Sequence, residues 1–173
     1  MSAAALAAAL AVLLAPASAT AACRGAGDTT RTATNRALVR ATLCVLNAKR
    51  AGHGLRPLAL NAKLGTAARR HSLAMVRRRF FSHTSLNGDT FLDRIQAAGY
   101  LDGAGSWGVG ENIAYGSGAR STPRSIGRAW MNSSGHRKNI LKRTFRSIGI
   151  GLASGTPVGL AGGTYTTDFG WRD

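Results

Sequence analysis

The stretch RSIGIGLASGTPVGLAGGTYTTDFG, residues 146–170, decides the class of fold. Large aliphatic side chains alternate with small ones from Ile148 to Leu152, and a similar alternation returns between 164 and 169. This is the two-residue period of a β-strand. The glycines and the proline at 155–163 separate the two runs and are typical of a turn. The chain is therefore expected to end as a β-hairpin.

Upstream of this hairpin the apolar residues follow a helical period instead. Capping residues and stop signals predict four helices, which are expected at 35–51, after Asn61, through 91–98, and from Thr122-Pro123 to a break near Ser134-Gly135. The glycines at 103–110 predict a flexible loop, and residues 111–115 fit a strand or a short helix. Helices first and strands last, without βαβ alternation, predict an α+β fold in which helices cover an antiparallel sheet.

The N-terminus resembles an export signal. Residues 1–22 carry no ionisable side chain, and their apolar run is too short to span a bilayer and ends in small residues. We therefore divide the chain into a signal peptide at 1–22, an N-terminal arm at 23–33 and one domain at 34–173. No later segment has the length and hydropathy of a membrane span, so we expect a secreted protein of the cell exterior or envelope.

Cys23 and Cys44 are the only cysteines. In an oxidising compartment, a pair without metal-type spacing is most simply a structural disulfide. It would close a loop of about 20 residues, worth on the order of 3 kcal/mol in the chain-entropy model. The alternatives are a lipid anchor on Cys23 and a reactive thiol, and no motif supports either.

Charge is the most conspicuous property of the composition. The chain has 23 Lys and Arg against 7 Asp and Glu, a formal net charge of +16, and Glu111 is its only glutamate. Arginines cluster at 69–70 and 77–79, a surface that would attract a cell-wall polyanion or an anionic lipid. The same excess is also typical of a protein from a high-GC genome, which favours arginine codons. No module for base-specific recognition of nucleic acid is present.

Short signatures recur along the chain, and in chain order they are Asn47-Ala48-Lys49-Arg50, Phe81-Ser82-His83, Gly110-Glu111-Asn112-Ile113-Ala114, Ser133-Ser134-Gly135-His136, Ile148-Gly149-Ile150-Gly151 and Thr167-Asp168-Phe169-Gly170. Together they make residues 36–171 resemble the CAP superfamily of cysteine-rich secretory, antigen 5 and pathogenesis-related 1 proteins, most closely its bacterial SCP-domain branch. The resemblance implies a three-layer α-β-α sandwich with a small antiparallel sheet.

The resemblance also implies a cleft lined by two histidines and two acids. His83, Glu111 and His136 match three of these positions. Ser133 stands where many members carry the second acid, which speaks against a mechanism that needs paired carboxylates. Two imidazoles and a carboxylate with an open fourth position suit Zn²⁺ or another divalent cation, although the same three residues could form a hydrogen-bonded polar cluster.

The leading hypothesis is a monomeric, secreted binding module whose cleft takes a divalent metal, a small ligand or a lipid. The alternatives are a metal-assisted or serine-type hydrolase using the same cleft, and a polyanion-binding surface protein. Candidate nucleophiles for a hydrolase are Ser82, Ser85, Ser133 and Ser134, but no nucleophile signature accompanies them.

Several other polar and aromatic residues are expected to have structural roles. His71 shares an apolar helix stripe, so we interpret it as a core residue and leave it out of the cleft. Asn112 and Asn139 are expected to hydrogen-bond to the backbone. Four aromatic residues are expected in the core: Phe81, Trp130, Phe145 and Phe169.

Overall fold

The computed structural model describes residues 23–173, so the expected signal peptide at 1–22 lies outside the described residues. The elements, in chain order, are α1 Asn35–Ala51, β1 Ala59–Leu60, α2 Ala62–Arg77, α3 Phe91–Ala97, β2 Trp107–Ser117, α4 Pro123–Asn132, α5 Ser134–Ile140, β3 Ser147–Ser154 and β4 Gly162–Arg172. A short 3-10 turn, Gly118–Ser121, joins β2 to α4. The α+β class is confirmed, and the C-terminal hairpin is β3 and β4.

The first four α-helices begin where the sequence places polar caps. The side chains of Thr34, Asn61, Thr90 and Thr122 each accept a hydrogen bond from a backbone N–H in the first turn of the helix that follows. Those N–H groups have no partner inside the helix, so a side-chain acceptor stabilises each helix start by about 1 kcal/mol. Local chemistry therefore explains why these helices begin at these residues.

The sheet has the strand order β1-β3-β4-β2. Strands β3, β4 and β2 pair antiparallel, while the two-residue β1 adds to the edge of β3 in parallel. In the register of β2 and β4, Glu111 lies directly opposite Asp168. The pairing therefore brings two of the seven acids of the chain side by side.

Helices cover both faces of the sheet, which confirms the three-layer sandwich. On one face, α1, α4 and α5 bury the large aliphatic residues of β3 against Trp130, Phe145 and Phe169. On the other face α2 lies very close to β3. A Cβ atom added at Gly149 or Gly151 would come within 2.2 Å of the backbone of α2, so only glycine permits this packing distance.

The expectation of a flexible loop over residues 103–110 is wrong for its second half. Gly108 and Gly110 lie inside β2 rather than in a loop. These positions are glycine because Trp171 and Asn139 occupy the space that a side chain would fill. The predicted break of the fourth helix near Ser134-Gly135 is present, because α4 ends at Asn132 and Ser133 is extended. The sequence did not predict the short helix α5, which begins directly after it at Ser134.

The disulfide between Cys23 and Cys44 is confirmed, with an S–S distance of 2.04 Å. It attaches the N-terminal arm to α1. The Ala26 carbonyl oxygen accepts from the Arg124 N–H, and the Thr30 hydroxyl donates to the Gly162 carbonyl oxygen. Across residues 23–173, no helix has the length and apolar character needed to cross a membrane.

Candidate functional site

The site is built around the carboxylate of Glu111, in the middle of β2 rather than at the end of an element. Its side chain has no solvent exposure. One carboxylate oxygen, Oε1, accepts a hydrogen bond of 2.7 Å from Nδ1 of His83, and Oε2 accepts one of 2.6 Å from Nη2 of Arg94. Both oxygens are thus occupied by protein donors.

Arg94 of α3 connects this carboxylate to the segment that carries His83. Its guanidinium also donates to the carbonyl oxygens of His83 and Asp89 and to the Ser85 hydroxyl, each at 3.0 Å. The side chain is only 9% exposed. Sequence reasoning missed Arg94, because its role depends on α3 lying against β2, and no local pattern separates it from the other arginines.

The two histidines of the predicted cleft lie together at the surface. The rings of His83 and His136 have centroids 6.5 Å apart. Since a carboxylate can only accept, His83 donates through Nδ1. Its Nε2 has no hydrogen-bond partner among the described residues, and the side chain is 49% exposed. His136 is half-buried in the first turn of α5, and burial, with a smaller contribution from His83, lowers its pKa. Burial therefore favours the neutral form of His136.

Asp168 is a second carboxyl group that sequence reasoning did not place in the site. It is buried opposite Glu111, and neither of its oxygens has a partner among the polar groups of residues 23–173 when it is treated as a carboxylate. Burial, and then repulsion from Glu111, raises its pKa well above the ordinary value. Protonated, Asp168 can donate to Glu111, whereas two carboxylates could not hydrogen-bond. The sequence signal was its position within a buried strand.

Ser133, the fourth predicted cleft residue, joins α4 to α5 and caps neither helix with its side chain. Among the described residues its hydroxyl has no hydrogen bond to His83, Glu111 or His136. Of the four candidate nucleophiles, only Ser85 brings its hydroxyl within hydrogen-bond distance of a histidine in residues 23–173, at 3.5 Å from Nδ1 of His71. Its hydroxyl oxygen also accepts from Arg94, so the structure adds no support for a serine nucleophile in this cleft.

The structural roles expected for several neighbours are confirmed. His71 is buried, and its Nε2 donates to the Ser82 carbonyl oxygen at 2.8 Å. Asn112 donates to the His136 carbonyl oxygen and Asn139 to that of Glu111, which ties α5 to β2. These two asparagines hold His136 near Glu111.

Three of the four aromatic residues expected in the core are buried there, but Phe81 is not. It is 45% exposed and packs edge-to-face on Tyr115. The physical reason is its place in the chain: Phe81 follows the end of α2 and lies outside the helix stripe that faces the sheet. Phe81, one member of this exposed aromatic pair, therefore lies two residues before His83 in the chain.

The donors present fit a divalent cation only in part. His83 and His136 offer two imidazoles. When two imidazoles bind one Zn²⁺, each through a nitrogen at about 2.0–2.1 Å, their ring centroids lie slightly closer together than the 6.5 Å between these two rings. Glu111 accepts from His83 and Arg94 through its two oxygens, so it is placed to orient His83 rather than to act as a third ligand. Within residues 23–173, no three His, Cys, Asp or Glu side chains group as one metal site requires. A cation here would therefore rest on the two imidazoles and solvent.

Comparison with known proteins identifies similar proteins in other bacteria. The protein YkwD of Bacillus subtilis (strain 168) is 39% identical over 105 residues, which are 61% of this chain and 38% of that protein. An extracellular SCP-domain protein from Bacillus anthracis str. Ames superimposes with a TM-score of 0.60 at 27% identity, over 79% of this chain and 43% of that one. The chain thus spans less than half the length of either relative.

A further solved structure, an outer surface protein from Borrelia burgdorferi, shares the fold with a TM-score of 0.59 at 22% identity, over 74% of this chain and 87% of that one. The model of the cysteine-rich secretory protein family, CAP, matches residues 43–167. That match covers most of the chain and includes His83, Glu111 and His136. The chain therefore belongs to the cysteine-rich secretory protein (CAP) family.

Proposed function

We propose that this protein is an exported binding module of the cell envelope or exterior, and that the cleft between His83 and His136 is its ligand site, with a divalent cation such as Zn²⁺ as the ligand. The observation that carries the proposal is the fixed orientation of His83. Its Nδ1 is held by a buried carboxylate, while its Nε2, without a hydrogen-bond partner in residues 23–173, lies on a ring beside a second imidazole.

Glu111 has a supporting role in this proposal. A carboxylate that accepts from the far nitrogen of a metal-binding histidine fixes the tautomer and the ring direction, and raises the basicity of the ligating nitrogen. The Arg94 guanidinium holds that carboxylate in place. His83 and His136 would hold the cation, which would supply an anchoring positive charge for an oxygen-bearing ligand. The exposed pair of Phe81 and Tyr115 supplies an apolar surface near His83.

Export is supported by two observations. The oxidised Cys23–Cys44 pair suits a compartment outside the cytoplasm, where disulfides persist. The names of two structural relatives describe an extracellular protein and an outer surface protein. We extend that location to this chain as part of the proposal.

Titration of the purified, oxidised protein with Zn²⁺ tests the cleft. We expect one site in calorimetry, and loss of it in both His83→Ala and His136→Ala. Glu111→Gln is expected to weaken binding by about 10- to 100-fold, because the carboxylate no longer orients His83. Affinity should fall as the pH falls below about 6.5, since protons compete for the imidazoles.

His53→Ala is the matched control, because His53 is exposed and its ring has a single hydrogen bond within residues 23–173, to the Lys49 carbonyl oxygen. It should bind Zn²⁺ like the unaltered protein. Equal loss in this variant, or no binding by the unaltered protein at any pH between about 6 and 8, would overturn the proposal of a two-histidine cation site.

Polyanion binding is a second candidate, favoured by the arginines of α2 and the turn after it. Five arginines there are exposed, and none has an acidic partner among the described residues: Arg69, Arg70, Arg77, Arg78 and Arg79. Such binding should weaken steeply with salt and be indifferent to His83→Ala and His136→Ala. Binding to a phosphate polymer that persists in high salt would contradict it.

A further inference from the structure

A second concave site includes Arg94 in its lining but not Glu111. It is a cavity of about 400 Å³ between α2, the segment 85–89 and α3. This volume is within the range of about 300–1,000 Å³ usual for small-molecule sites. Neither His83 nor His136 lines it. The cavity is therefore a different site from the histidine cleft.

The cavity walls combine apolar groups with positive charge. Methyl groups of α2 and α3 and the ring of Phe80 form the apolar part. Arg70 and Arg78 are exposed on its lining, and neither has a hydrogen bond or an ion pair from its side chain within residues 23–173. Asp89 is the one acid on the lining, and Asn87 donates to it at 2.8 Å. The lining thus has an excess of unpartnered cations.

The inner wall is polar and rigid. Arg94 is nine-tenths buried, and its guanidinium is held by Glu111, by the Ser85 hydroxyl and by two carbonyl oxygens, so its position in this wall is fixed. His71 lies beside it, fixed through Nε2 by the Ser82 carbonyl oxygen. The remaining ring nitrogen, Nδ1, faces the Ser85 hydroxyl at 3.5 Å. Fixed polar groups in a mostly apolar cavity are the usual arrangement of a ligand site.

We propose that this cavity, bounded by Arg70, Arg78 and Arg94, is a binding site for a small organic anion: a carboxylate or phosphate head group on a compact apolar body. The head group contacts the exposed guanidinium groups of Arg70 on α2 and of Arg78, the residue that follows α2. The apolar body packs against the alanine side chains and Phe80. Because Arg94 also holds Glu111 and the His83 carbonyl oxygen, the site shares one side chain with the histidine cleft without sharing its ligand atoms.

Titration followed by NMR of the four histidine rings tests the proposal. The probes are octanoate and octyl phosphate, with 1-octanol, octylamine and inorganic phosphate as comparisons for the apolar body, the charge sign and the head group alone. We expect octanoate or octyl phosphate to shift the His71 resonances saturably and to leave those of His53 unchanged. Stronger binding by one of the two identifies the preferred head group, and either result supports the proposal.

Matched arginine variants separate a site from general attraction to a basic protein. Arg78→Gln and Arg70→Gln should each weaken octanoate or octyl phosphate binding about three- to tenfold, because each removes a charged hydrogen-bond donor. Arg77→Gln and Arg69→Gln remove the same charge from the same helix outside the cavity, and should change it less than twofold. Ala97→Trp, at an exposed lining position, should abolish it.

Three results would overturn the proposal. One is equal weakening in all four arginine variants, which would indicate general electrostatic attraction. Another is equal affinity for inorganic phosphate or octanol, which would remove the need for an amphiphilic ligand. The third is a titration that shifts His83 and His136 but not His71.

Discussion

Glu111 is buried on every side, so its charge must be compensated by protein groups rather than by water. Arg94 and His83 supply the two contacts, and only Arg94 is itself buried. Removing one partner of a buried ion pair leaves an uncompensated charge, which costs about 3–5 kcal/mol. We therefore expect Arg94→Met to lower the free energy of unfolding in urea by this amount, with release of the segment 83–89 seen as faster amide exchange.

The double variant Arg94→Met with Glu111→Gln is the control for this prediction. It removes both charges, so the loss should be clearly smaller than in Arg94→Met alone. If the double variant is as unstable as the single one, the cost lies in the contacts of Arg94 with Ser85 and Asp89 rather than in the charge of Glu111.

Asp168 predicts a pH dependence of stability. Its pKa is raised in the folded state, first by burial and then by Glu111, while Arg94 opposes the shift. The folded protein therefore holds a proton that the unfolded chain releases above its own pKa of about 3.9. Stability is lost as the pH rises from about 4 through the folded pKa. Asp168→Asn removes this dependence and keeps a donor toward Glu111.

The measurement is the difference in melting temperature between Asp168→Asn and the unaltered protein, taken from about pH 4.5 to 7.5. We expect it to shift in favour of the variant as the pH rises. The lowered pKa values of His71 and His136 have the opposite sign, with stability lost below about pH 6.5, but both proteins share them. A difference that stays constant across this range would show that Asp168 is ionised in the fold.

Among the elements, α2 ends in a strained conformation. Arg79 has a φ of 55°, in the left-handed region, and the Phe80 N–H donates back to the Met75 carbonyl oxygen. This is the C-terminal motif that glycine usually completes, because a side chain costs about 1–2 kcal/mol there. We expect Arg79→Gly to stabilise the protein by about 1 kcal/mol, or about 3 °C in melting temperature.

Arg79→Ala separates backbone strain from charge. It removes the same positive charge from the arginine cluster and keeps the Cβ atom, so it should give no comparable gain. An equal rise in melting temperature in both variants would mean that relief of charge repulsion, rather than of backbone strain, is responsible.

The elements also show which parts of the structure the sequence could predict. Caps such as Thr34 and Asn61 act within one turn of chain, so the helix starts were predictable. The glycines of β2 are different. Glycine is needed at Gly108 and Gly110 because Trp171 and Asn139, which are distant in sequence, fill the space beside them. Asp168 joined the site for the same kind of reason, since only the strand register places it opposite Glu111. Tertiary neighbours are not encoded in a local pattern.

At the scale of the whole molecule, the disulfide is a contact that depends on the compartment. It joins residues 21 apart in sequence and holds the arm against α1, where Cys23, Ala26 and Val45 form a small cluster. A loop of this size lowers the entropy of the unfolded chain by an amount worth about 3 kcal/mol. Reduction should therefore lower the melting temperature by about 10 °C without unfolding the sheet.

Thermal unfolding of the oxidised protein, the reduced protein and Cys23→Ala with Cys44→Ala measures this effect. The reduced and double-variant proteins should melt together, since both lose the same loop constraint. Amide exchange should rise first at the Arg124 N–H, which donates to Ala26 in the arm, while the N–H groups of β4 stay protected. The β4 groups stay protected because hydrophobic packing on both faces of the sheet does not depend on the arm. Equal melting temperatures of the oxidised and reduced proteins would show that the disulfide does not stabilise the fold, although it forms in an oxidising compartment.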